Sequence, residues 1–292
     1  MSSETSTPSS QEFFIGIDSD GTVFDSMEIK HKRVFQPVAI ETFELGEAAE
    51  LYCRIAEGIN LYSVLRGVNR FEALALAFKR LAKQSEAGAQ AVAGHEDLQE
   101  FVASGSALSY AALAAYNEEK QSAFLTKVLA WSQKSDELYE EIMEAEGTPA
   151  FQGIKAVLER AQSQAELVVI SSSSRVTLEQ DWGKAGLLPV INRIEGQEQG
   201  NKSKQLEGAL ESRGDRKKAL MLGDALSDLD AANDHGILFY PITPGSEEAA
   251  WERLEKEALQ RFFDGTYAGD YQESLLADFK TVLKPDDEGS IG

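Results

Sequence analysis

The sequence predicts an α/β fold, a doubly wound, Rossmann-like parallel sheet with an all-helical domain inserted into it. Short, nearly continuous apolar runs have the length of strands that are buried on both faces. In the second half of the chain these runs alternate with helical periodicity, an order that produces parallel strands joined by right-handed crossovers. A long helical stretch separates the first apolar run from the others. We therefore expect a core at 12–26 and 148–284, with the helical domain at 27–147.

Composition limits the classes of function. The chain has 292 residues, enough for a large domain with an insertion, and its net charge of −21 disfavours nucleic acid as a ligand. No apolar run approaches the roughly 20 residues of a membrane helix, so we expect no membrane partner. The single cysteine, Cys53, excludes an intrachain disulfide and favours a reducing, cytoplasmic location. We expect a monomer or a homodimer.

The two ends of the chain are polar. Residues 1–11 are rich in serine and threonine and have neither the basic start nor the apolar middle of a secretory signal. Residues 285–292 combine acidic residues with glycine. Such compositions are typical of segments without a packed core. We predict a disordered tail at 1–11 and a loose tail at 285–292.

The first element is Phe13–Ile17, which we predict to be a buried strand. Asp18 and Asp20 follow it, and Gly21 and Thr22 form the next turn. Ligands of a parallel α/β sheet bind just beyond the carboxyl ends of its strands, so this strand would deliver two carboxylates to a site. A strand that ends in an Asp-Gly turn is also common without a site, and the later segments decide between the two interpretations.

Helical periodicity begins after Ser26 and continues to Gly147. Glycine and serine residues divide this stretch into four or more helices, which we place at 36–59, 70–83, 97–116 and 118–145. Their apolar residues are expected to form a core rather than to contact a ligand. A basic run at 30–33 either draws an anion towards the site or is merely exposed.

Beyond residue 148 we predict alternating helices and strands. The strands are placed at 167–170, 190–194, 219–222 and 236–240, and a short helix precedes the last of them. The other helices are placed at 151–164, 177–185, 202–211, 247–263 and 271–283. Four serines beginning at Ser171 follow one strand, Asp224 and Asp228 follow another, and Lys202 opens a helix between them. Because parallel strand ends meet at one edge of a sheet, these side chains should converge with the two aspartates after the first strand.

This set of residues suits the transfer of a phosphoryl group to a carboxylate. Asp18 is the candidate nucleophile, since an aspartyl-phosphate splits one hard displacement into two easier steps. So many acids would repel one another without a cation, and Mg²⁺ prefers hard oxygen ligands. We expect Asp18 and Asp224 to be direct Mg²⁺ ligands, with the backbone carbonyl of Asp20 as a third. Asp228 would act directly or through water.

Further side chains would complete the chemistry. Asp20 would protonate the leaving oxygen and then take a proton from the attacking water. Ser171 and Lys202 would hold the phosphate oxygens, and Ser172 is both a candidate substrate contact and the alternative to Ser171. Lys204 is likewise the alternative to Lys202. Taken singly, each of these residues also has an ordinary structural interpretation, such as a helix cap or a surface lysine.

Four segments resemble the motifs of the haloacid dehalogenase-like superfamily. They are Asp18-Ser-Asp20-Gly-Thr-Val, Val169-Ile-Ser171, Lys202 and Gly223-Asp224-Ala-Leu-Ser-Asp228. The resemblance implies the roles given above and a Mg²⁺-dependent phosphatase of a small phosphorylated metabolite. An aspartate two places after the nucleophile is similar to the phosphatase and phosphomutase branches, and the insertion resembles a C1-type helical cap. The sequence departs from the pattern at Ser19, a position more often apolar or aromatic, and lacks the Lys-Pro pair of many relatives.

Inside the insertion, residues 65–74 resemble the cap loop of β-phosphoglucomutase-like members, which meets the substrate. The resemblance implies substrate contacts for Arg66 and Arg70. Independently of it, their spacing of four would place them on one face if the segment is helical. Two guanidinium groups suit a phosphate or carboxylate at the far end of a substrate, and the alternative is a pair of solvated arginines. A phosphomutase is therefore the alternative function, and a catalytically silent regulatory protein on the same fold is the second alternative.

Overall fold

The computed structural model describes residues 11–147, 149–211 and 213–285. Within these residues, five parallel strands form one sheet in the order β3-β2-β1-β4-β5. The strands are β1 Phe13–Ile17, β2 Ala165–Ile170, β3 Arg193–Glu195, β4 Ala219–Gly223 and β5 Leu238–Pro241. From the central β1 the chain builds outward to β2 and β3, then crosses back to β4 and β5. This order confirms the predicted doubly wound α/β sheet.

The reversal between β1 and β4 positions the site. Ile17 pairs with Val169 of β2 and with Leu222 of β4, so the residues that follow these three strands stand level at one edge. The N–H of Asp18 donates to the carbonyl of Leu222 at 3.0 Å and extends the register one residue beyond β1. Open α/β sheets bind ligands in the crevice at such a reversal.

Helices dominate the described residues from the end of β1 to residue 147. A π-helical turn, Ile29–Phe35, precedes the first of them. The α-helices are α1 Gln36–Thr42, α2 Ala49–Asn60, α3 Arg70–Gln84, α4 Glu86–Ala91, α5 Glu96–Ala103, α6 Tyr110–Lys120 and α7 Ala123–Glu146. One hydrophobic cluster, which includes Phe78 and Trp131, is drawn from this segment alone. The arrangement confirms the helical insertion that the sequence predicts.

The helices beside the sheet cover its two faces. They are α8 Ile154–Gln162, α9 Arg175–Lys184, α10 Lys202–Ala209, α11 Leu226–Asp234, α12 Glu247–Arg253, α13 Leu259–Phe263 and α14 Asp270–Val282. Ile15 of β1 belongs to one hydrophobic cluster with Trp251, whereas its neighbour Phe14 belongs to another with Phe279. Alternate strand residues thus pack on opposite faces, which explains why the strand sequences are apolar almost throughout.

Two helices predicted in the insertion have different bounds in the structure. The segment predicted at 97–116 divides into α5 and α6, because Gly105 takes a φ of +77° and Ser109 caps the second helix through its side chain. The segment predicted at 118–145 begins later, as α7, after the N-cap residue Ser122. Caps and backbone torsions therefore set helix ends that apolar periodicity does not define.

Two further elements also differ from the prediction. The helix predicted at 36–59 is interrupted between α1 and α2, where Glu44 and Gly46 take φ angles of +54° and +49°. The strand predicted at 190–194 is β3, which begins only at Arg193 because a 3-10 turn that contains Pro189 precedes it.

No helix among the described residues is long and apolar enough to cross a membrane. The tails predicted at 1–11 and 285–292 lie outside the described residues, except for Gln11 and Pro285. The domain boundaries given above stay a prediction.

Candidate active site

The turn after β1 brings the backbone close to the acids that follow β4. Asp18 is 4% exposed and comes directly after the strand. Gly21 has a φ of +75°, and its N–H donates to the carbonyl of Phe24 at 2.8 Å. An ideal Cβ on Gly21 would lie 2.3 Å from Oδ2 of Asp224. The turn therefore requires glycine, because any side chain would collide with this carboxylate and resist the positive φ.

Three buried carboxylates form a cluster at the edge of the sheet, and we call Asp18, Asp224 and Asp228 the acid cluster. One oxygen from each of them lies within 4.8 Å of the others. Asp228 lies in the first turn of α11, where its Oδ2 accepts the N–H of Ala225 at 3.1 Å. Burial raises the pKa of Asp18 well above its usual range and also raises the pKa of Asp228, and the neighbouring carboxylates add to both effects.

Lys202 supplies an ammonium group to the acid cluster. Its Nζ lies 3.0 Å from Oδ1 of Asp18 and donates to Oδ1 of Asp228 at 2.6 Å. Lys202 begins α10, whose N-cap residue Asn201 accepts the N–H of Lys204. The side chain of Lys202 is 6% exposed, whereas Lys204 is exposed. Of the two candidate lysines, Lys202 is the one that reaches the acids.

Asp20 has a different environment from the acid cluster. Its Oδ1 accepts the hydroxyl of Ser26, and its Oδ2 accepts Nζ of Lys30 at 2.6 Å and the hydroxyl of Ser173 at 2.8 Å. Burial would raise the pKa of Asp20, but the charge of Lys30 and these three hydrogen bonds outweigh burial and lower the pKa to about 2. Asp18 and Asp20 thus lie in the same turn, but the pKa of Asp18 is raised and that of Asp20 is lowered.

The serine run after β2 lines the same cavity as Asp18 and Asp20. Ser171 is buried, and its N–H donates to the carbonyl of Glu195 at 3.1 Å. Its carbonyl accepts Nε2 of Gln205 at 2.9 Å, which fixes the backbone at the strand end. Ser171, Ser172 and Ser173 line the cavity together with Lys202 and both aspartates that follow β1. The structure thus brings the predicted serines to the predicted site.

Side chains of the insertion form the opposite wall of this cavity, whose volume is about 80 Å³. Phe35, Arg70 and Tyr139 are among them. Nζ of Lys30 lies 4.7 Å from the ring centroid of Tyr139, and the Tyr139 hydroxyl donates to Oδ2 of Asp181 on α9 at 3.0 Å. A small cavity with hydroxyl and ammonium donors beside carboxylates suits a small anionic ligand held with a cation.

The two arginines predicted to contact the substrate face different neighbours. Arg70 lines the cavity, and its Nη1 donates to Oδ1 of Asp136 at 2.6 Å. Arg66 is buried against the acid cluster, where its Nε donates to Oδ2 of Asp224 at 2.5 Å. Arg70 therefore lies where a substrate contact is expected, whereas Arg66 meets a predicted metal ligand.

Four residues that were not among the predicted site residues contact the predicted acids. Lys30 and Ser173 hold Asp20 together with Ser26, and Oγ1 of Thr22 donates to Oδ1 of Asp224 at 3.1 Å. The basic run at 30–33 and the run of four serines are the sequence signals that point to the first two. Thr22 has no signal beyond its place in the turn.

A family model described as haloacid dehalogenase-like hydrolase matches residues 67–242 of the chain. A crystal structure described as a haloacid dehalogenase-like hydrolase from Bacteroides fragilis is 15% identical with a TM-score of 0.51, over 82% of this chain and 92% of that one. A hydrolase structure from Pseudomonas syringae is 16% identical with a TM-score of 0.50, over 83% and 90% of the two chains. Both share the fold described above. No curated protein matches the chain.

Proposed function

Because the chain belongs to the haloacid dehalogenase-like hydrolases, we propose that it is a Mg²⁺-dependent phosphatase of a small phosphorylated metabolite. The observation that supports this proposal most strongly is the meeting of the acid cluster and Lys202 where the sheet order reverses. Oxygens of three buried carboxylates lie within 4.8 Å of one another, and Lys202 contacts two of the three carboxylates. Carboxylates and an ammonium group at this point are what phosphoryl transfer to an aspartate needs.

The acid cluster fits a hard divalent cation. Mg²⁺ takes oxygen ligands and is usually held by one or two carboxylates together with water and substrate phosphate. Asp18 and Asp224 would hold it, with the backbone carbonyl of Asp20 and, directly or through water, Asp228. Burial and neighbouring carboxylates raise the pKa of Asp18 despite Lys202, which indicates that the cluster lacks positive charge. When bound, Mg²⁺ would neutralise charge on the phosphoryl oxygens.

Asp18 is the proposed nucleophile. One of its carboxylate oxygens would form a bond to phosphorus while the bond between phosphorus and the ester oxygen breaks, which leaves an aspartyl-phosphate. Lys202, 3.0 Å from Oδ1 of Asp18, would hold the nucleophile and a phosphoryl oxygen together. Ser171 and Ser172 would donate to the other phosphoryl oxygens from the end of β2.

Asp20 is the proposed acid and base. It would give a proton to the oxygen of the departing alcohol, and would then take a proton from the water that attacks phosphorus and releases Asp18. The products are the free alcohol and inorganic phosphate. Lys30, Ser26 and Ser173 fix the Asp20 carboxylate at the cavity wall and lower its pKa to about 2, which suits the base that takes a proton from water. To act first as the acid, Asp20 would have to be protonated, and the negative charge of a bound phosphate would raise its pKa in that direction.

The inserted helices are proposed to act as a cap, residues 27–147, over a core formed by 12–26 and 148–284. A separate hydrophobic cluster within the insertion supports this division. The cap would exclude bulk water from the aspartyl-phosphate and select the leaving group. The small cavity, with Arg70 on its wall, favours a compact substrate whose far end is anionic or polar.

Hydrolysis of p-nitrophenyl phosphate tests the proposal. We expect turnover with Mg²⁺, its loss on chelation with EDTA, and a loss of at least about a thousandfold in Asp18→Asn. Asp25→Asn is the matched control, because Asp25 is an exposed carboxylate near the same turn, and it should keep full activity. Equal turnover in Asp18→Asn and the unmodified chain would overturn the mechanism.

A sugar phosphate, supplied with and without a bisphosphate activator, separates the proposal from its alternatives. Free phosphate as the product supports a phosphatase, whereas an isomeric sugar phosphate favours the phosphomutase. No reaction with any phosphate ester favours the silent regulatory protein.

A further inference from the structure

Arg66 places a guanidinium group on a carboxylate of the acid cluster. Its Nε donates to Oδ2 of Asp224 at 2.5 Å, and its Nη1 donates to the carbonyl of Leu61 at 3.1 Å. The side chain of Arg66 is only 7% exposed and that of Asp224 only 2%. Since Thr22 donates to Oδ1 of Asp224, both oxygens of this carboxylate already accept a hydrogen bond.

The segment that carries Arg66 is fixed by contacts of its own. We call residues 61–68 the arginine loop. The backbone of Lys284, which follows α14, makes two hydrogen bonds with this loop. The Lys284 N–H donates to the carbonyl of Tyr62 at 3.2 Å, and the Lys284 carbonyl accepts the N–H of Val64 at 3.0 Å. Gly67 has a φ of +79°, and an ideal Cβ there would lie 3.0 Å from Cβ of Ala225, at the start of α11. Arg66 is thus directed at Asp224 by the packing of its loop as well as by charge.

Arg66 and a metal ion bound to the acid cluster would disfavour each other, because they share one carboxylate and carry charge of the same sign. The acid cluster carries three negative charges when ionised, and Lys202 and Arg66 contribute two positive ones. A divalent ion that binds Asp224 needs lone pairs of the same carboxylate that Arg66 engages, and it repels the guanidinium at close range. Binding of one cation therefore weakens binding of the other, and by linkage this effect is reciprocal.

We propose that Arg66 competes with Mg²⁺ for Asp224, so that metal loading and the seating of the arginine loop are coupled. This inference rests on the proposed function, because it takes the acid cluster to be the Mg²⁺ site. Arg66 acts through Asp224 and is a positioning residue of the metal centre. Loading the ion releases the guanidinium and loosens the loop, and a seated loop lowers the affinity for the ion.

Calorimetric titration of the full chain with Mg²⁺ at fixed ionic strength tests the competition. We expect Arg66→Met to lower the Kd for Mg²⁺ by about tenfold, within the usual range of coupling between two sites. Arg70→Met is the matched control, since it removes the same charge at the cavity without a contact to Asp224, and its Kd should stay that of the unmodified chain. An unchanged or higher Kd in Arg66→Met, or an equal decrease in both variants, would overturn the inference.

Hydrogen exchange in the unmodified chain provides a second test that does not depend on the folding of a variant. Added Mg²⁺ should speed amide exchange in the arginine loop, whereas exchange in β1 should not become faster. Slower or unchanged exchange in the loop, with Mg²⁺ bound, would contradict the coupling while leaving the proposed function intact. Absence of any Mg²⁺ binding to the unmodified chain would overturn both.

Discussion

The edge of the sheet and the inserted helices build the site in different ways. At the edge, strand register and a tight turn fix the acids: the N–H of Asp18 bonds to a carbonyl of β4, and Gly21 lets the turn approach Asp224. The insertion reaches the same acids through long side chains, with Lys30 on Asp20 and Arg66 on Asp224. Groups fixed by backbone keep one geometry, whereas long side chains can withdraw when helices move. We infer from this contrast that residues at the sheet edge carry out the reaction, whereas the insertion controls which molecules reach them.

Lys202→Met removes a charge from the sheet edge and has the largest expected effect. Asp18 and Asp228 would lose the ammonium that contacts them both, so the free energy of unfolding without Mg²⁺ should fall by about 3–5 kcal/mol. Turnover of p-nitrophenyl phosphate should be abolished as well. Urea unfolding and the phosphatase assay measure the two effects. Lys204→Met, at an exposed position in the same helix, should change neither, and normal values for Lys202→Met would contradict the account.

Gly21→Ala tests whether the turn after β1 can shift to make room for a side chain beside Asp224. Gly105 in the insertion has nearly the same φ, +77° against +75°, but nothing lies within 4 Å of an ideal Cβ there. Gly105→Ala should therefore cost only the strain of the left-handed conformation, about 1–2 kcal/mol. Gly21→Ala should cost more and should reduce both turnover and Mg²⁺ affinity, because Asp224 has to move. Equal losses of stability in the two variants, with turnover intact in both, would show that the close approach of Gly21 to Asp224 does not matter.

Lys30→Met tests the contribution of the insertion to the chemistry. The variant removes the ammonium that holds Asp20, and we expect kcat to fall by about a hundredfold, the scale of acid–base catalysis, with little change in KM. Lys30→Arg should recover part of the loss, since it restores a cation beside Asp20. Lys32→Met is the control, because Lys32 bonds to Glu28 and Tyr62 rather than to an acid of the site. A rise in KM alone would assign Lys30 to substrate binding instead.

Tyr139→Phe should reduce turnover least of these four. It removes the hydroxyl that donates to Asp181 but keeps the ring over which Lys30 lies. We expect the free energy of unfolding to fall by about 1–3 kcal/mol, the cost of leaving a buried acceptor with one partner fewer. Thermal and urea unfolding would measure it. A loss of turnover as large as that of Lys30→Met would mean that this contact takes part in the reaction.

The sequence predicts the sheet edge more fully than the insertion, and the reason is physical. Asp18, Ser171 and Asp224 directly follow apolar runs, so a segment of a few residues indicates both the strand and the functional side chain at its end. The partner of Arg66 is 158 positions away, and no local pattern indicates that pairing. Likewise, the helix predicted across Gly105 is divided by a backbone torsion that apolar periodicity does not report. Local signals predict elements and motifs, whereas contacts between distant segments depend on the folded chain.

Rapid acid quenching during turnover of a radiolabelled phosphate ester, followed by peptide mapping, tests the central claim most directly. The account predicts a hydroxylamine-sensitive phosphoryl label on the peptide that contains Asp18, present only with Mg²⁺ and absent in Asp18→Asn. Turnover without such a label, or a label on a peptide from elsewhere in the chain, would contradict it.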